Sequence, residues 1–234
     1  MAFVFSAVRG TTAAALALIC VAGCSSGGSK GPSPTPTPAA ATQLQQIAAA
    51  GLQNSYTAVY KLRATKPAGT ALVVVGRTPT AYRLNLHTGR SIAILIHNAH
   101  GTYSCHKDVG HAAKCLQVAK PGSPVPPLFD AGQKLWSDFL VELSNNASAY
   151  LVTPAGTTPA TGSAPAGKCY AIHPIASPAP AATVTPGTYC LTADGIPTEA
   201  AFVSGTVMLT EVTRPPKPRE LLPLAKPIPI PNLR

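Results

Sequence analysis

The sequence YRLNLHTGRSIAILIH, residues 82–97, decides the fold. In its first part Tyr82, Leu84 and Leu86 alternate with polar residues, which is the pattern of a strand with one face in water. Thr88 to Arg90 supply a turn. The second part, Ser91 to His97, is apolar on both sides and therefore predicts a strand that is covered on both faces of its sheet. Together these segments predict neighbouring strands of an antiparallel meander.

Flanking segments extend this meander upstream and downstream. Tyr56 to Leu62 alternates apolar with polar residues, and Gly101 opens another strand toward Cys105. The other predicted elements are an apolar strand at Thr70 to Val75, a turn at Gly76 to Thr80, loops at Thr153 to Gly167 and Pro174 to Pro186, and strands around Cys169, Cys190, Phe202 and Met208.

Two further segments show the spacing of amphipathic helices. The first, Thr42 to Asn54, carries Leu44 and Ile47 near helical spacing, with Thr42 as its N-cap. The second follows two prolines and carries the only tryptophan of the chain. It is expected to cover the open face of the sheet, either as ordinary core or as a mobile lid. Its apolar residues are Leu128, Phe129, Leu135, Trp136, Phe139, Leu140 and Leu143.

The N-terminus has the features of an export signal. Arg9 supplies positive charge, and the apolar run Thr12 to Val21 is too short to span a bilayer. It ends in VAGC at residues 21–24, which resembles a bacterial lipobox. Residues 1–23 are therefore predicted to be a lipoprotein signal peptide, and Cys24 is predicted to carry a diacylglyceryl anchor. An uncleaved anchor helix is the alternative, although the Pro-rich Ser25 to Pro38 is unsuited to continue one.

These signals divide the chain into four regions. Residues 24–41 comprise the lipidated cysteine and a Pro/Ser/Thr-rich linker. The extended conformation of Ser25 to Pro38 gives a tether of roughly 40 Å. Residues 42–213 form the folded domain, and residues 214–234 form a Pro-rich tail that either wraps the domain or stays disordered. The predicted location is the extracytoplasmic face of the cell membrane.

Cysteine usage agrees with export. Beyond Cys24 and the signal peptide, four cysteines remain, which allow three disulfide pairings. The favoured pairing is local, Cys105 with Cys115 and Cys169 with Cys190, because each pair brackets a turn between predicted strands. A metal site is the alternative, but the spacings typical of zinc sites are missing, so no metal or other cofactor is expected. The histidines that motivate it are His97, His100, His106 and His111.

Charge and motifs exclude several functions. With 18 Lys and Arg against 8 Asp and Glu, the net charge is +10. This dispersed charge favours anionic lipid or wall polymer as a partner, and export argues against nucleic acid. The sequence offers no obvious carboxylate pair, no Gly-x-Ser-x-Gly elbow and no phosphate-cradling loop. No catalytic residues are predicted, and the protein is not expected to be an enzyme.

The assembled pieces resemble a family. A lipobox, a tether, a helix, a meander with YSC at residues 103–105, a second helix, and GTYC at 187–190 followed by Asp194, Gly195 and Ile196 resemble actinobacterial lipoproteins of the LolA/LppX/LprG-like group. The resemblance covers roughly Thr42 to Thr213. It implies an α+β fold, a curled antiparallel sheet or half-barrel with helices packed on the concave face, often around an apolar cavity. Members of this group carry or sense acyl chains, lipoproteins or glycolipids, and have no catalytic residues.

Two hypotheses for function follow. The first is a lipid-anchored, non-enzymatic protein that binds an acyl chain, lipid or other amphiphile in an apolar cavity. The second is a surface interaction or sensor module that holds an envelope protein or cell-wall polymer without a ligand cavity. The sequence leaves both open, because an empty cavity and a filled core use the same residues. The candidates to line a cavity are Leu72, Val74, Leu84, Leu86, Ile92, Ile94, Ile96, Trp136, Phe139 and Leu140.

Overall fold

The computed structural model describes residues 38–65, 68–126, 129, 138–175 and 184–229. Within these ranges the chain forms two α-helices and twelve β-strands, so the α+β class predicted from sequence takes a strand-dominated form. The predicted signal peptide, Cys24 and the linker up to residue 37 lie outside the described residues. So do Leu128, Leu135 and Trp136 of the second predicted helix.

In chain order the elements are α1 (Pro38–Gln53), β1 (Tyr56–Thr65), β2 (Ala68–Arg77), β3 (Tyr82–Thr88), β4 (Ser91–Asn98), β5 (Gly101–Asp108), β6 (Lys114–Ala119), α2 (Phe139–Asn146), β7 (Tyr150–Thr158), β8 (Gly167–Pro174), β9 (Gly187–Leu191), β10 (Pro197–Phe202), β11 (Gly205–Thr213) and β12 (Ile228–Pro229). Short 3-10 turns occupy Ala147–Ala149 and Pro218–Leu221.

All twelve strands belong to one sheet, in the order β12-β6-β5-β4-β3-β2-β1-β11-β10-β9-β8-β7. Two meanders, β1 to β6 and β7 to β11, join where β1 pairs with β11. The pairings are antiparallel apart from β12, which lies parallel to β6. The sheet is curled and unclosed, and with its helices it fits the half-barrel predicted from the sequence.

Side chains alternate between two faces of the sheet, and each face has its own apolar cluster. Val75, Leu84 and Leu95 share a row across β2, β3 and β4, and they belong to the core that includes residues of α1 and α2. We call this side the helix face. Ile94 and Ile96 lie on the opposite side, where Ala225 packs against their cluster. We call that side the tail face.

Strand β4 contributes to both clusters. Leu95 is buried on the helix face, whereas Ile94 and Ile96 are buried on the tail face. The sequence prediction that this strand is covered on both sides is therefore confirmed. Its tail-face cover comes from residues 214–229, which fold back over the sheet. We call this segment the tail.

Helix α1 begins at Pro38, four residues before the predicted N-cap at Thr42. Proline is well tolerated in the first helical turn, where its missing N–H would have no partner anyway. The extra turn brings Ala40 into the core beside Leu44, each no more than 5% exposed. The Gln45 side chain donates to the Ser144 carbonyl at 2.9 Å, which ties α1 to α2.

In the described part of the second predicted helix, Phe139, Leu140 and Leu143 are buried. The Phe139 ring stacks on Tyr189 of β9, with ring centroids 5.7 Å apart. These residues therefore form ordinary core on the helix face. Phe129 packs against the same cluster.

Strand β7 corrects the predicted loop at Thr153 to Gly167, because β7 continues through Thr158. Its proline and glycine misled the sequence prediction. β7 ends the strand order of the sheet, and its register shifts between Pro154 and Thr157. Proline is tolerated at such an edge and at a bulge, and Gly156 there adopts a φ of +94°. The turn predicted at Gly76 to Thr80 begins two residues later, since β2 runs to Arg77 and the Thr78 N–H donates to the Ala81 carbonyl at 2.8 Å.

Two disulfides link neighbouring strands in the local pairing. Cys105 of β5 joins Cys115 of β6, and Cys169 of β8 joins Cys190 of β9. Each pair occupies directly opposed positions in its antiparallel ladder. The chain-entropy view of a crosslink assigns about 3 kcal/mol of stability to each loop of this size.

Helix α1 meets the β9–β10 turn at a contact between two glycines. A Cβ built on Gly51 would lie 2.5 Å from the Gly195 carbonyl oxygen, and Gly195 has a φ of +82°. At both positions a side chain would collide with backbone atoms, which cannot move aside as easily as a flexible side chain can. These glycines set the distance between α1 and the sheet.

We predict that Gly51→Ala lowers the free energy of unfolding by about 1–3 kcal/mol, the usual cost of overpacking. Gly69→Ala is the control, because a Cβ there meets no atom within 4 Å, and we expect a change within about 0.5 kcal/mol. Chemical denaturation measures both. Helix propensity alone would make Gly51→Ala stabilising, so a gain in stability would contradict the close contact.

Candidate functional site

The ten candidate cavity residues do not lie on one wall. Leu84, Leu86, Phe139 and Leu140 belong to the helix-face core. The tail face carries Leu72, Val74, Ile92, Ile94 and Ile96, as the strand registers require. Trp136 lies outside the described residues. The sequence grouped these residues because segments that are apolar on both faces give no indication of which residue faces which side.

On the helix face, buried side chains of α1, α2 and the sheet pack around a small void. A void of about 10 Å³ lies among Tyr60, Phe139, Tyr189 and Leu191. That is room for about one water molecule, whereas sites for small ligands measure about 300–1,000 Å³. This void is therefore too small for an acyl chain.

A buried arginine lies beneath the end of α1. Arg77 is 5% exposed, and its Nη2 donates to the Leu52 carbonyl at 3.4 Å. Burial lowers the pKa of Arg77, an effect offset in part by Tyr56, Tyr60 and Tyr82. Carbonyls at the C-terminal end of a helix favour a cation. Arg77 therefore anchors α1 to β2, a role that the sequence analysis did not identify.

The tyrosines around Arg77 are held in their neutral form. Burial raises the pKa of Tyr56 to about 12, and it raises the pKa of Tyr60 well above its ordinary value. On β9, burial also raises the pKa of Tyr189 to about 12. Its hydroxyl donates to the Thr185 carbonyl at 2.8 Å.

The tail face carries a large open groove, with a volume of about 510 Å³. The sheet forms one wall and the tail forms the other. The groove reaches Gly76, where a Cβ would lie 3.3 Å from the Pro216 side chain. Its lining residues are Thr57, Val74, Gly76, Arg83, Asn85, Thr213, Arg214, Pro216, Glu220 and Leu221.

Hydrogen bonds and buried apolar groups hold the tail against the sheet. Arg83 Nη1 donates to the Glu220 carbonyl at 3.1 Å, and Asn98 Nδ2 donates to the Leu221 carbonyl at 2.9 Å. Leu221 is 6% exposed. Farther along, Ile228 and Pro229 pair with β6. Of the two possibilities left open by the sequence, the tail wraps the domain.

Within the tail, Glu220 is neutralised locally. Arg214 contacts both of its carboxylate oxygens, at 2.7 and 3.0 Å, and the Lys217 N–H donates to it at 2.7 Å. These interactions, that of Arg214 first, lower the pKa of Glu220 to about 2. The carboxylate is therefore ionised across the physiological range and committed to Arg214.

Among the residues that the structure describes, no group of three His, Cys, Asp or Glu side chains is arranged to hold a metal ion. His106 Nε2 lies 3.0 Å from Asp108, and His97 Nδ1 lies 2.9 Å from the Thr102 hydroxyl. His97 also stacks on Tyr82, and burial lowers the pKa of His97.

Neither helix in the described ranges has the length and apolar character needed to cross a bilayer.

Comparison with solved structures identifies the architecture. The chain matches one from the Pseudomonas aeruginosa MucA/MucB complex at 16% identity, with a TM-score of 0.50. The fold is similar to that of MucB. The match covers 79% of this chain and 61% of that one, so the protein spans less than two thirds of the MucB chain's length. A second structure, MucB in complex with MucA(peri), matches at 13% identity, with 79% and 59% coverage and a TM-score of 0.39.

No protein-family model matches the chain, and no curated protein matches it either. The structural likeness supports the half-barrel architecture. It does not extend to the LppX/LprG group, and that part of the resemblance stays a prediction.

We predict that folding stability falls between pH 10 and pH 12. The buried tyrosines ionise in the unfolded chain near the ordinary tyrosine pKa of 10.0, but Tyr56 and Tyr189 ionise only near a pKa of 12 when folded. The stability they contribute is thus fully present below pH 10 and is lost as pH rises through their folded pKa. Denaturant titrations at several pH values measure this slope. Tyr189→Phe should reduce it, and an unchanged slope would contradict the assignment.

Proposed function

We propose that this protein is a non-enzymatic, extracytoplasmic binding module that holds a segment of a partner protein in the tail-face groove. One observation supports this most directly: the void found on the helix face measures only about 10 Å³, whereas the tail-face groove offers about 510 Å³ of open space. The interaction hypothesis is therefore favoured over the cavity hypothesis.

The chemistry of the groove suits a peptide better than an acyl chain. An alkyl chain needs a dry wall without ionisable groups, whereas Arg83, Arg214 and Glu220 all line this groove. Thr57 and Asn85 add hydrogen-bonding groups that match a peptide backbone. The likeness to MucB points the same way, because that protein is recorded in complex with MucA.

The location follows from the cysteines. Two disulfides between neighbouring strands are expected of a protein that folds outside the cytosol. With Cys24 acylated, the domain would stand on the membrane at the end of its linker. Its partner would then be an envelope protein within reach of that tether.

Site-specific photocrosslinking in an exporting host tests the proposal. A photoreactive residue in place of Thr57, inside the groove, should give an adduct with one defined protein. A photoreactive residue in place of Val203, which is 97% exposed outside the groove, should not. The partner, once purified, should bind the untreated full-length protein directly. A purified protein that carries a stoichiometric acyl lipid bound noncovalently, in addition to any anchor on Cys24, would overturn the proposal, and so would adducts with wall polymer alone.

Lipid anchoring is tested separately by mass spectrometry of the mature protein. We expect the wild-type chain to begin at an acylated Cys24 and to sediment with membranes. Cys24→Ala should abolish acylation and leave the chain uncleaved or released. Cys20→Ala is the matched control, because that residue lies inside the predicted signal peptide and its loss should leave the mature protein unchanged. An acylated, normally cleaved Cys24→Ala protein would disprove the lipobox.

A further inference from the structure

Arg83 is a cation in the groove that no carboxylate neutralises by contact. It is half-buried on β3 and lines the groove with Asn85. Its Nε donates to Asn85 Oδ1 at 2.8 Å, and its Nη1 donates to the Glu220 backbone carbonyl at 3.1 Å. Among the described residues, no carboxylate oxygen lies within 4 Å of its guanidinium nitrogens. This contrasts with Arg214, which contacts both oxygens of Glu220.

The two hydrogen bonds orient the Arg83 guanidinium and leave some of its N–H groups available to a ligand. A guanidinium has five N–H groups in a fixed plane, and Nη2 donates to none of the described residues. Holding Nε and Nη1 in place reduces the rotamer entropy that a ligand would otherwise have to offset. The remaining N–H groups are thus prepared for a planar acceptor with two oxygens.

Glu220 is close by but is committed elsewhere. Its carboxylate accepts from Arg214 and from the Lys217 N–H, and it attracts Arg83 only through space, while its backbone carbonyl accepts the hydrogen bond from Arg83. The ionisable groups that line the groove are two arginines and one glutamate, so a net positive charge remains. One additional carboxylate would balance it.

We infer that the groove recognises an acidic side chain, aspartate or glutamate, in the bound segment of the partner, and that Arg83 holds its carboxylate. This inference rests on the proposed function and adds the chemistry by which the partner is recognised. Arginine and carboxylate form paired N–H···O bonds, which give both strength and orientation. A doubly charged phosphate would leave the groove negative, whereas a carboxylate leaves it neutral. The partly enclosed site strengthens the attraction relative to bulk water.

A peptide-display selection on the immobilised full-length protein tests the inference. The wild type should enrich peptides with Asp or Glu at one fixed position. Replacing that residue with Asn or Gln in a synthetic peptide should weaken binding at least about tenfold, as expected when a hydrogen bond to a charged group is lost. Arg83→Gln should bind the acidic and amide peptides alike.

Two further variants separate the effect of the Arg83 guanidinium from the effect of positive charge alone. Arg219→Gln removes one charge from an exposed part of the tail outside the groove, and it should preserve the acidic preference. Arg83→Lys keeps the charge but loses the planar fork, so it should bind the acidic peptide more weakly than wild type while still preferring it to the amide. Thermal unfolding of each variant checks that the tail and sheet remain intact.

The outcomes separate this inference from the proposed function. Peptides that are enriched without an acidic position, or that bind Arg83→Gln as well as wild type, would overturn carboxylate recognition and leave a peptide-binding groove. Failure to enrich any peptide, together with no adduct at Thr57, would overturn both. Binding of phosphatidylglycerol vesicles that is lost in Arg83→Gln would instead assign Arg83 to a lipid headgroup and overturn the inference.

Discussion

Hydrogen bonding between β1 and β11 is the constraint on which the architecture depends. It opposes Thr57 to Thr213 and Ala64 to Gly205, and so joins two meanders that are each built from local hairpins. Closing so long a loop costs conformational entropy, but that cost grows only slowly with length. The ladder offsets it by pairing two strands whose edges would otherwise be exposed. The single sheet then provides one surface broad enough to receive α1 and α2 on one side and the tail on the other.

This construction gives the sheet two covered faces with different properties. The helix face is close-packed around aromatic rings, and the buried Arg77 is held at the end of α1. The tail face is covered by a segment whose regular structure is limited to one 3-10 turn and the two-residue strand β12. Loosely fitting cover leaves space, and the polar residues of the alternating strand β3 line that space. The difference in packing thus arises from what covers each face, since both faces belong to the same strands.

Local patterns predicted the strands but not the site. The alternation in residues 82–87 and the apolar run after it gave β3 and β4 correctly, because period 2 is a property of neighbouring residues. The sequence analysis grouped cavity candidates that lie on opposite faces of the sheet. It did so because a strand that is apolar on both sides does not indicate which residues face which side. β7 was missed, with its residues from Thr153 predicted as a loop, because an edge strand tolerates residues that a central strand would reject. The alternation in β3 predicted only that Arg83 would face solvent. No local pattern in the sequence showed that the tail would cover it.

The groove is assembled from segments that are distant in the sequence. Thr57 comes from the first strand, Arg83 from the third, and Arg214 and Glu220 from the tail. Thr57 and Thr213 are brought together by the same β1–β11 ladder that closes the sheet, and the tail begins directly after Thr213. The site can therefore form only after both meanders have joined and the tail has docked. Binding in the groove would stabilise that last step, because a ligand that contacts both walls favours the docked tail over the free one.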